Sequence, residues 1–138
     1  YSFDPSYRER AEAPFQAKVT DKYKKCVKQA QRLLKIKIRD LHVFIEANPT
    51  SNKKISIMTK YSEIPALAIS GPALFDDEDS INLAVSINTD DGSIFQTNLV
   101  NEYSLVAASL LKEGYSENEV YNYIEELAIA SNVHSFIE

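Results

Sequence analysis

The chain of 138 residues has one cysteine, two histidines, three glycines and no tryptophan. One cysteine excludes an internal disulfide framework, and with two histidines it does not complete a standard zinc site within one chain. Three glycines are too few for the usual phosphate-binding loops. No hydrophobic run approaches the roughly 18 residues of a membrane-spanning helix. We therefore predict no enzyme, no metal site, no cofactor and no transmembrane segment.

Positive charge is nearly missing from the second half of the chain. Residues 61–138 contain one base, Lys112, and 14 of the 20 acids, whereas residues 1–60 contain the other 14 bases and six acids. The two parts therefore carry net charges of −13 and +8. This split predicts that the basic part seeks anions, the acidic surface of another chain, or the chain's own acidic half.

Residues 18–47 have the strongest periodic pattern. Seven apolar residues recur at spacings of three and four, which predicts one long amphipathic helix. They form the predicted interaction stripe: Tyr23, Val27, Ala30, Leu34, Ile38, Leu41 and Ile45. Cys26 widens this stripe, and we predict it to be a small core residue. A strand over residues 35–46 is the competing interpretation, but its alternation fails after residue 38. Asn48-Pro49 predicts the end of the helix.

Lysine and arginine side chains lie outside this stripe and form a predicted basic face: Lys22, Lys25, Lys28, Arg32, Lys35 and Arg39. A cationic face is one requirement of nucleic-acid binding, but no aromatics are interleaved for stacking on single strands. The charge of −13 elsewhere would also repel phosphate. A basic amphipathic helix suits a membrane surface too, although this stripe has few large aromatics. We therefore predict a protein partner or a homodimer and disfavour nucleic acid.

The rest of the chain predicts short connections and regular elements. Residues 1–17 lack periodicity and contain Pro5 and Pro14, which predicts a flexible arm or linker before a single domain of residues 18–138. Because the chain begins with Tyr1 instead of Met, we expect a processed form or a domain excised from a longer protein.

Four segments resemble strands: residues 54–60, 66–70, 80–88 and 93–99. The clearest is 80–88, where Ile81, Leu83, Val85 and Ile87 alternate with smaller or polar residues. Residues 89–92 end in Asp-Gly, which favours a hairpin turn. Two helices follow. The first covers residues 102–113 and ends at Gly114. The second runs from residue 117 to about 133 and begins with a capping box of Ser116 and Glu119.

This order of elements predicts an α+β fold with a long N-terminal helix, an antiparallel β-meander of three to four strands and two C-terminal helices. The predicted function is a non-enzymatic protein–protein interaction or assembly module that acts through the long basic amphipathic helix. One alternative is a small-molecule sensing domain with a pocket between sheet and helices, lined by Tyr61, Tyr103, Tyr115, Tyr121 and Tyr123. Another is a small secretion-chaperone-like binding protein, since such chaperones share this outline, but no motif selects a family.

Overall fold

A computed structural model describes residues 4–14, 16–71, 74 and 81–134. The chain divides into two compact units, Tyr1–Gln31 and Arg32–Glu138. The boundary between them falls inside the long helix α2, Asp21–Asp40.

The first unit contains a short helix and the beginning of α2. Helix α1, Pro5–Glu12, starts at Asp4, whose carboxylate accepts hydrogen bonds from the Ser6 and Tyr7 amides. The hydrogen bond from the Ser6 hydroxyl has the largest effect on the pKa of Asp4, and it lowers that pKa together with the two amide bonds. No residue of α1 is buried. Within the predicted arm, residues 5–12 are therefore helical. Residues 1–3 and 15 lie outside the described residues.

Helix α2 ends at Asp40, seven residues before the predicted end. His42 adopts a left-handed conformation with φ of 54°, and the Val43 amide donates to the Ile38 carbonyl at 3.1 Å. This backbone pattern is that of a Schellman C-cap, which asparagine or glycine more often supplies than histidine. The predicted stop at Asn48-Pro49 instead starts a helix, because proline fits the first helical position as well as it terminates the previous one.

The second unit has two short strands. Strand β1, Ile45–Ala47, pairs in parallel with β2, Val85–Ile87, in the register Ile45↔Val85 and Ala47↔Ile87. Between them lie helix α3, Pro49–Ile55, a 3-10 turn, Tyr61–Glu63, and helix α4, Pro65–Ser70. A parallel pair needs such a crossover, whereas a hairpin needs only a few residues.

Further helices follow β2 in the chain. They are the single turn α5, Gly92–Phe95, and the longer α6, Leu99–Glu113, and α7, Glu117–Val133. Helix α7 packs on β2, and α6 packs on α7. The core of the unit consists of the buried residues Ala47, Ile64, Leu67, Val85, Ile87, Val106, Leu110, Val120, Tyr123 and Leu127.

The predicted antiparallel meander is wrong: the structure is mainly helical, and the described residues contain only two short parallel strands. Residues 66–70 lie in α4 because Pro65 opens a helix there, and Ala and Leu favour it. Residues 54 and 55 end α3. Asp91 caps α5, so the segment predicted as a returning strand is a helical turn followed by the start of α6. The predicted strand 80–88 shrinks to β2, and its residue 80 lies outside the described residues.

The two C-terminal helices have the caps that the sequence predicts. Gly114 has φ of 100° in the left-handed region after α6. Ser116 and Glu119 form the capping box of α7, with the Ser116 amide donating to Glu119 at 2.8 Å. Hydrogen bonds from the Ser116 hydroxyl and amide lower the pKa of Glu119. The first of these helices begins at Leu99, three residues earlier than predicted.

Glu102 is a polar residue of the core that connects α6 to α3 through a hydrogen bond. Its side chain is fully buried and accepts hydrogen bonds from the Thr50 amide at 2.8 Å and the Thr97 hydroxyl at 2.5 Å. Asn48, at the N-cap of α3, makes no side-chain cap bond. Glu102 therefore satisfies a helix-start amide that a local cap would normally satisfy.

Candidate interaction surface

The predicted interaction stripe lies mostly on α2. Tyr23, Val27, Ala30, Leu34 and Ile38 belong to the helix, and Leu41 follows its last residue. Ile45 lies instead in β1 and packs against the core of the second unit. We therefore use the name α2 stripe for the six residues Tyr23, Val27, Ala30, Leu34, Ile38 and Leu41.

Five of the six side chains of the α2 stripe are exposed, and that of Ile38 is half-buried. No residue of α2 is buried. The exposed fractions are 61% for Tyr23, 56% for Leu34 and 62% for Leu41, and Leu33 beside the stripe is exposed as well. Isolated exposed apolar residues are ordinary, whereas exposed apolar residues that share one face of a helix are typical of interaction sites.

The predicted basic face also lies on α2. At 3.6 residues per turn Lys25, Lys28, Arg32 and Arg39 fall opposite the α2 stripe, and Lys22 and Lys35 fall on its two flanks. Arg39 pairs with Asp40 at 3.0 Å, and Lys24 lies 3.6 Å from Asp21. With eight bases and two acids, Asp21–Asp40 has a net charge of +6.

One lysine interrupts the apolar surface. Val27, Ala30, Leu34, Lys37 and Leu41 keep the alternating spacing of three and four residues that a coiled-coil seam requires. Lys37 is exposed, so a helix that docks along this seam meets one ammonium group among apolar side chains. The spacing in the sequence identifies Lys37 as a seam residue, whereas a selection of apolar residues alone leaves it out.

Cys26 is exposed, so its predicted place in the core is wrong. The rings of His134 and Phe44 have centroids 3.6 Å apart and planes tilted by 40°, and burial lowers the pKa of His134. Over residues 4–14, 16–71, 74 and 81–134, no three histidine, cysteine or acidic side chains are grouped closely enough to hold a metal ion.

The five tyrosines considered as pocket residues have different surroundings, although Tyr61, Tyr103 and Tyr115 pack against the core that contains Tyr123. Tyr123 is buried, and its hydroxyl donates to the Leu67 carbonyl at 2.9 Å. The Tyr103 hydroxyl lies 2.7 Å from the Ser131 hydroxyl, and Tyr121 is two-thirds exposed. Of the five, Tyr61 borders a cleft between α6, residues 59–61 and Lys53 of α3.

That cleft brings together three lysines that are distant in the sequence. It has a volume of about 660 Å³ and is lined by Lys53, Thr59, Lys60, Tyr61, Leu105, Ala108, Ser109, Lys112 and Glu113. We call it the lysine cleft. Nothing in the sequence indicated it, because Lys53 and Lys60 belong to the basic half and Lys112 is the lone base of the acidic half.

Glu113 forms hydrogen bonds with two neighbouring residues at the edge of the lysine cleft. Its carboxylate accepts from the Ser62 hydroxyl at 2.6 Å and from the Lys60 ammonium at 3.0 Å. These hydrogen bonds lower the pKa of Glu113, and the bond to Glu113 together with its charge raises the pKa of Lys60. Both groups therefore stay charged around neutral pH, as an ion pair.

The comparisons with known proteins show no relative: no family model, no curated protein and no solved structure matches the chain.

Within the described residues, no helix combines the length and the apolar character that crossing a bilayer requires.

Proposed function

We propose that this protein is a non-enzymatic interaction module that binds an acidic amphipathic helix of a partner protein along the α2 stripe. The observation that carries the proposal is that an apolar surface at helical spacing is left uncovered on a helix without any buried residue. Helix-in-groove and helix-pairing recognition both use such anchors at three- and four-residue spacing.

Burial of this surface supplies the attraction. Complete burial of a leucine side chain contributes about 1.5–3 kcal/mol, and Leu34 and Leu41 still expose more than half of their surface. The loss of rotational and translational freedom offsets much of this gain. Burial of four large side chains, Tyr23, Val27, Leu34 and Leu41, should therefore give a specific contact of moderate affinity.

Charge favours an acidic partner over a second copy of α2. Two copies side by side would bring together two segments of net charge +6. In a parallel pair Lys37 would face its own equivalent in the seam, and a lysine at a seam position weakens self-pairing. A partner helix with glutamate or aspartate at the facing positions would instead pair with Lys37, and the basic residues would steer its approach.

The first test uses a synthetic helical peptide with a leucine seam flanked by glutamates. We expect it to bind the protein in a fluorescence anisotropy titration, and we expect a peptide with lysines in place of those glutamates not to bind. The affinity should fall as salt rises beyond about 0.1 M, where screening reaches about 10 Å. Equal binding of the two peptides would contradict the choice of an acidic partner.

Leu34→Glu should weaken binding of the acidic peptide at least about tenfold, because an apolar contact is lost and a carboxylate faces the peptide's own carboxylates. The matched control is Gln29→Glu, which makes the same change of charge on the same helix away from the α2 stripe. Both positions are exposed, so the fold should be unaffected. Similar affinities of these two variants would exclude the α2 stripe as the contact surface.

Self-association is measured separately, by light scattering across a salt series. We expect a monomer at every salt concentration when no partner is present. A dimer that persists in high salt would mean that two α2 stripes pair with each other, against the proposal. A dimer that dissociates as salt rises would mean that the basic segment binds the acidic surface of another copy.

A further inference from the structure

The lysine cleft differs in kind from the α2 stripe, because it is concave and lined from three separate segments. Lys53 lies on α3, Lys60 precedes the 3-10 turn, and Lys112 lies in the last turn of α6. Its volume of about 660 Å³ falls within the range of small-molecule sites, roughly 300–1,000 Å³.

The cleft has an excess of positive charge. Its lining residues include three ammonium groups and one carboxylate, that of Glu113, which the Lys60 ammonium already neutralises at 3.0 Å. Among the described residues, neither Lys53 nor Lys112 has a carboxylate within ion-pair distance. The nearby Glu63 carboxylate is bound to the Thr59 and Lys60 amides at 2.8 and 3.1 Å. Lys53 and Lys112 are therefore the two ammonium groups that remain for a ligand, near a Glu63 carboxylate that keeps its negative charge because neutral amides do not cancel it.

The walls of the cleft combine apolar and polar surface. Leu105 and Ala108 form one side from α6, and the ring of Tyr61 forms another. Lys53 is held with its ammonium 4.5 Å from the centre of this ring, an arrangement that cation–π attraction stabilises. The Ser109 hydroxyl adds a hydrogen-bonding group, whereas the Thr59 hydroxyl already donates to Glu63 at 3.1 Å. Such a site suits a ligand with an anionic end and a flat apolar body.

We propose that the lysine cleft binds a small phosphate monoester whose organic part is an aromatic ring or another flat apolar group. A phosphate monoester carries about −1.5 to −2 charges at neutral pH and three acceptor oxygens, which matches the two lysines that lack a carboxylate. Lysine binds phosphate as a point charge with three donors. Inorganic phosphate would leave the wall of Leu105, Ala108 and Tyr61 uncovered. This site is independent of the proposed function of the α2 stripe.

The acidic remainder of the chain does not prevent this binding. Charges more than about 8 Å away are largely screened at physiological ionic strength, whereas the ammonium groups lining the cleft would contact the ligand directly. Walls of low polarity also strengthen the local field in a cleft. The ligand therefore responds to the local excess of lysines more than to the net charge of −5.

The test is a calorimetric titration of the whole chain with phenyl phosphate, beside inorganic phosphate and phenol. We expect phenyl phosphate to bind at least about tenfold more tightly than either, because it alone joins the charge and the ring. Amide signals of Ser109 and Lys112 should shift in parallel nuclear magnetic resonance spectra. Equal affinities for phenyl phosphate and inorganic phosphate, or shifts confined to other residues, would overturn the proposal.

Two neighbouring lysines provide a matched pair of variants. Lys53→Met removes a cleft charge, whereas Lys54→Met removes the same charge from a side chain that donates to the Phe95 carbonyl at 2.7 Å and does not line the cleft. We expect Lys53→Met and Lys112→Met each to weaken phenyl phosphate binding about tenfold, as for loss of a charge-assisted hydrogen bond. Lys54→Met should change it less than twofold. An equal loss in all three variants would overturn the proposal.

Discussion

Replacing Glu102 with alanine is expected to lower the free energy of unfolding by about 3 kcal/mol, because the substitution leaves buried donors without an acceptor. Glu102 is fully buried and accepts from the Thr50 amide at 2.8 Å. Thr50 itself is 5% exposed, so water cannot readily replace the carboxyl group. The truncation also leaves a cavity between α3 and α6, which adds to the cost.

Chemical denaturation followed by circular dichroism measures this effect. Glu102→Gln keeps the shape and one acceptor oxygen for the Thr50 amide, so it should cost only about 1 kcal/mol. The control is Glu125→Ala on α7, at an exposed position, which should stay within about 0.5 kcal/mol of the unchanged protein. If Glu102→Ala costs no more than Glu125→Ala, then Glu102 does not cap α3 and the contact between α3 and α6 is held by apolar packing alone.

Glu102 also illustrates what the sequence conceals. A glutamate in the first turn of a helix is typical of a solvated residue that complements the helix dipole. Its residue type does not distinguish it from Glu117, which also lies in the first turn of its helix, α7, and is exposed. The difference arises from Thr50, 52 residues away, whose amide needs an acceptor.

Two local signals near the end of the sequence were read correctly because the interactions that decide them are local. The Ser116–Glu119 capping box and the Gly114 cap form within a few residues, and both are present. The alternation of Ile81, Leu83, Val85 and Ile87 correctly predicts four buried side chains. It does not reveal that β2 pairs in parallel with β1, because a strand's own pattern records which face is buried and carries no information on the partner.

The same reasoning explains the two candidate sites. The α2 stripe was predicted from spacing, since periodicity on one helix is a property of neighbouring residues. The lysine cleft could not be predicted. Lys53 and Lys112 are 59 residues apart and meet only because α3 and α6 border the same cleft. The predicted meander gave no reason for residue 53 to lie near the helix that carries Lys112, so no role was predicted for Lys112.

Gly71→Ala is expected to cost about 2 kcal/mol, the usual range for overpacking a dense core. Gly71 follows α4 and has an ordinary φ of −137°, so its backbone needs no glycine. A methyl group there would lie 2.6 Å from the Cε2 atom of Tyr123. That ring is held in place by its hydroxyl, which donates to the Leu67 carbonyl and lies 2.8 Å from the Ser70 hydroxyl. Burial of the Tyr123 side chain also raises the pKa of its hydroxyl above the usual range.

A double-mutant cycle separates this steric effect from a conformational one. In a Tyr123→Leu background the ring is gone, so adding Gly71→Ala should cost less than about 0.5 kcal/mol, and the two substitutions should couple strongly. Gly114→Ala provides the contrast. It has open space around its Cβ position but φ of 100°, so it should cost about 1 kcal/mol in either background. Equal costs of Gly71→Ala with and without the Tyr123 ring would mean that the end of α4 moves away from α7 to admit the methyl group, and that the hydrogen bonds of Tyr123 do not fix this part of the core.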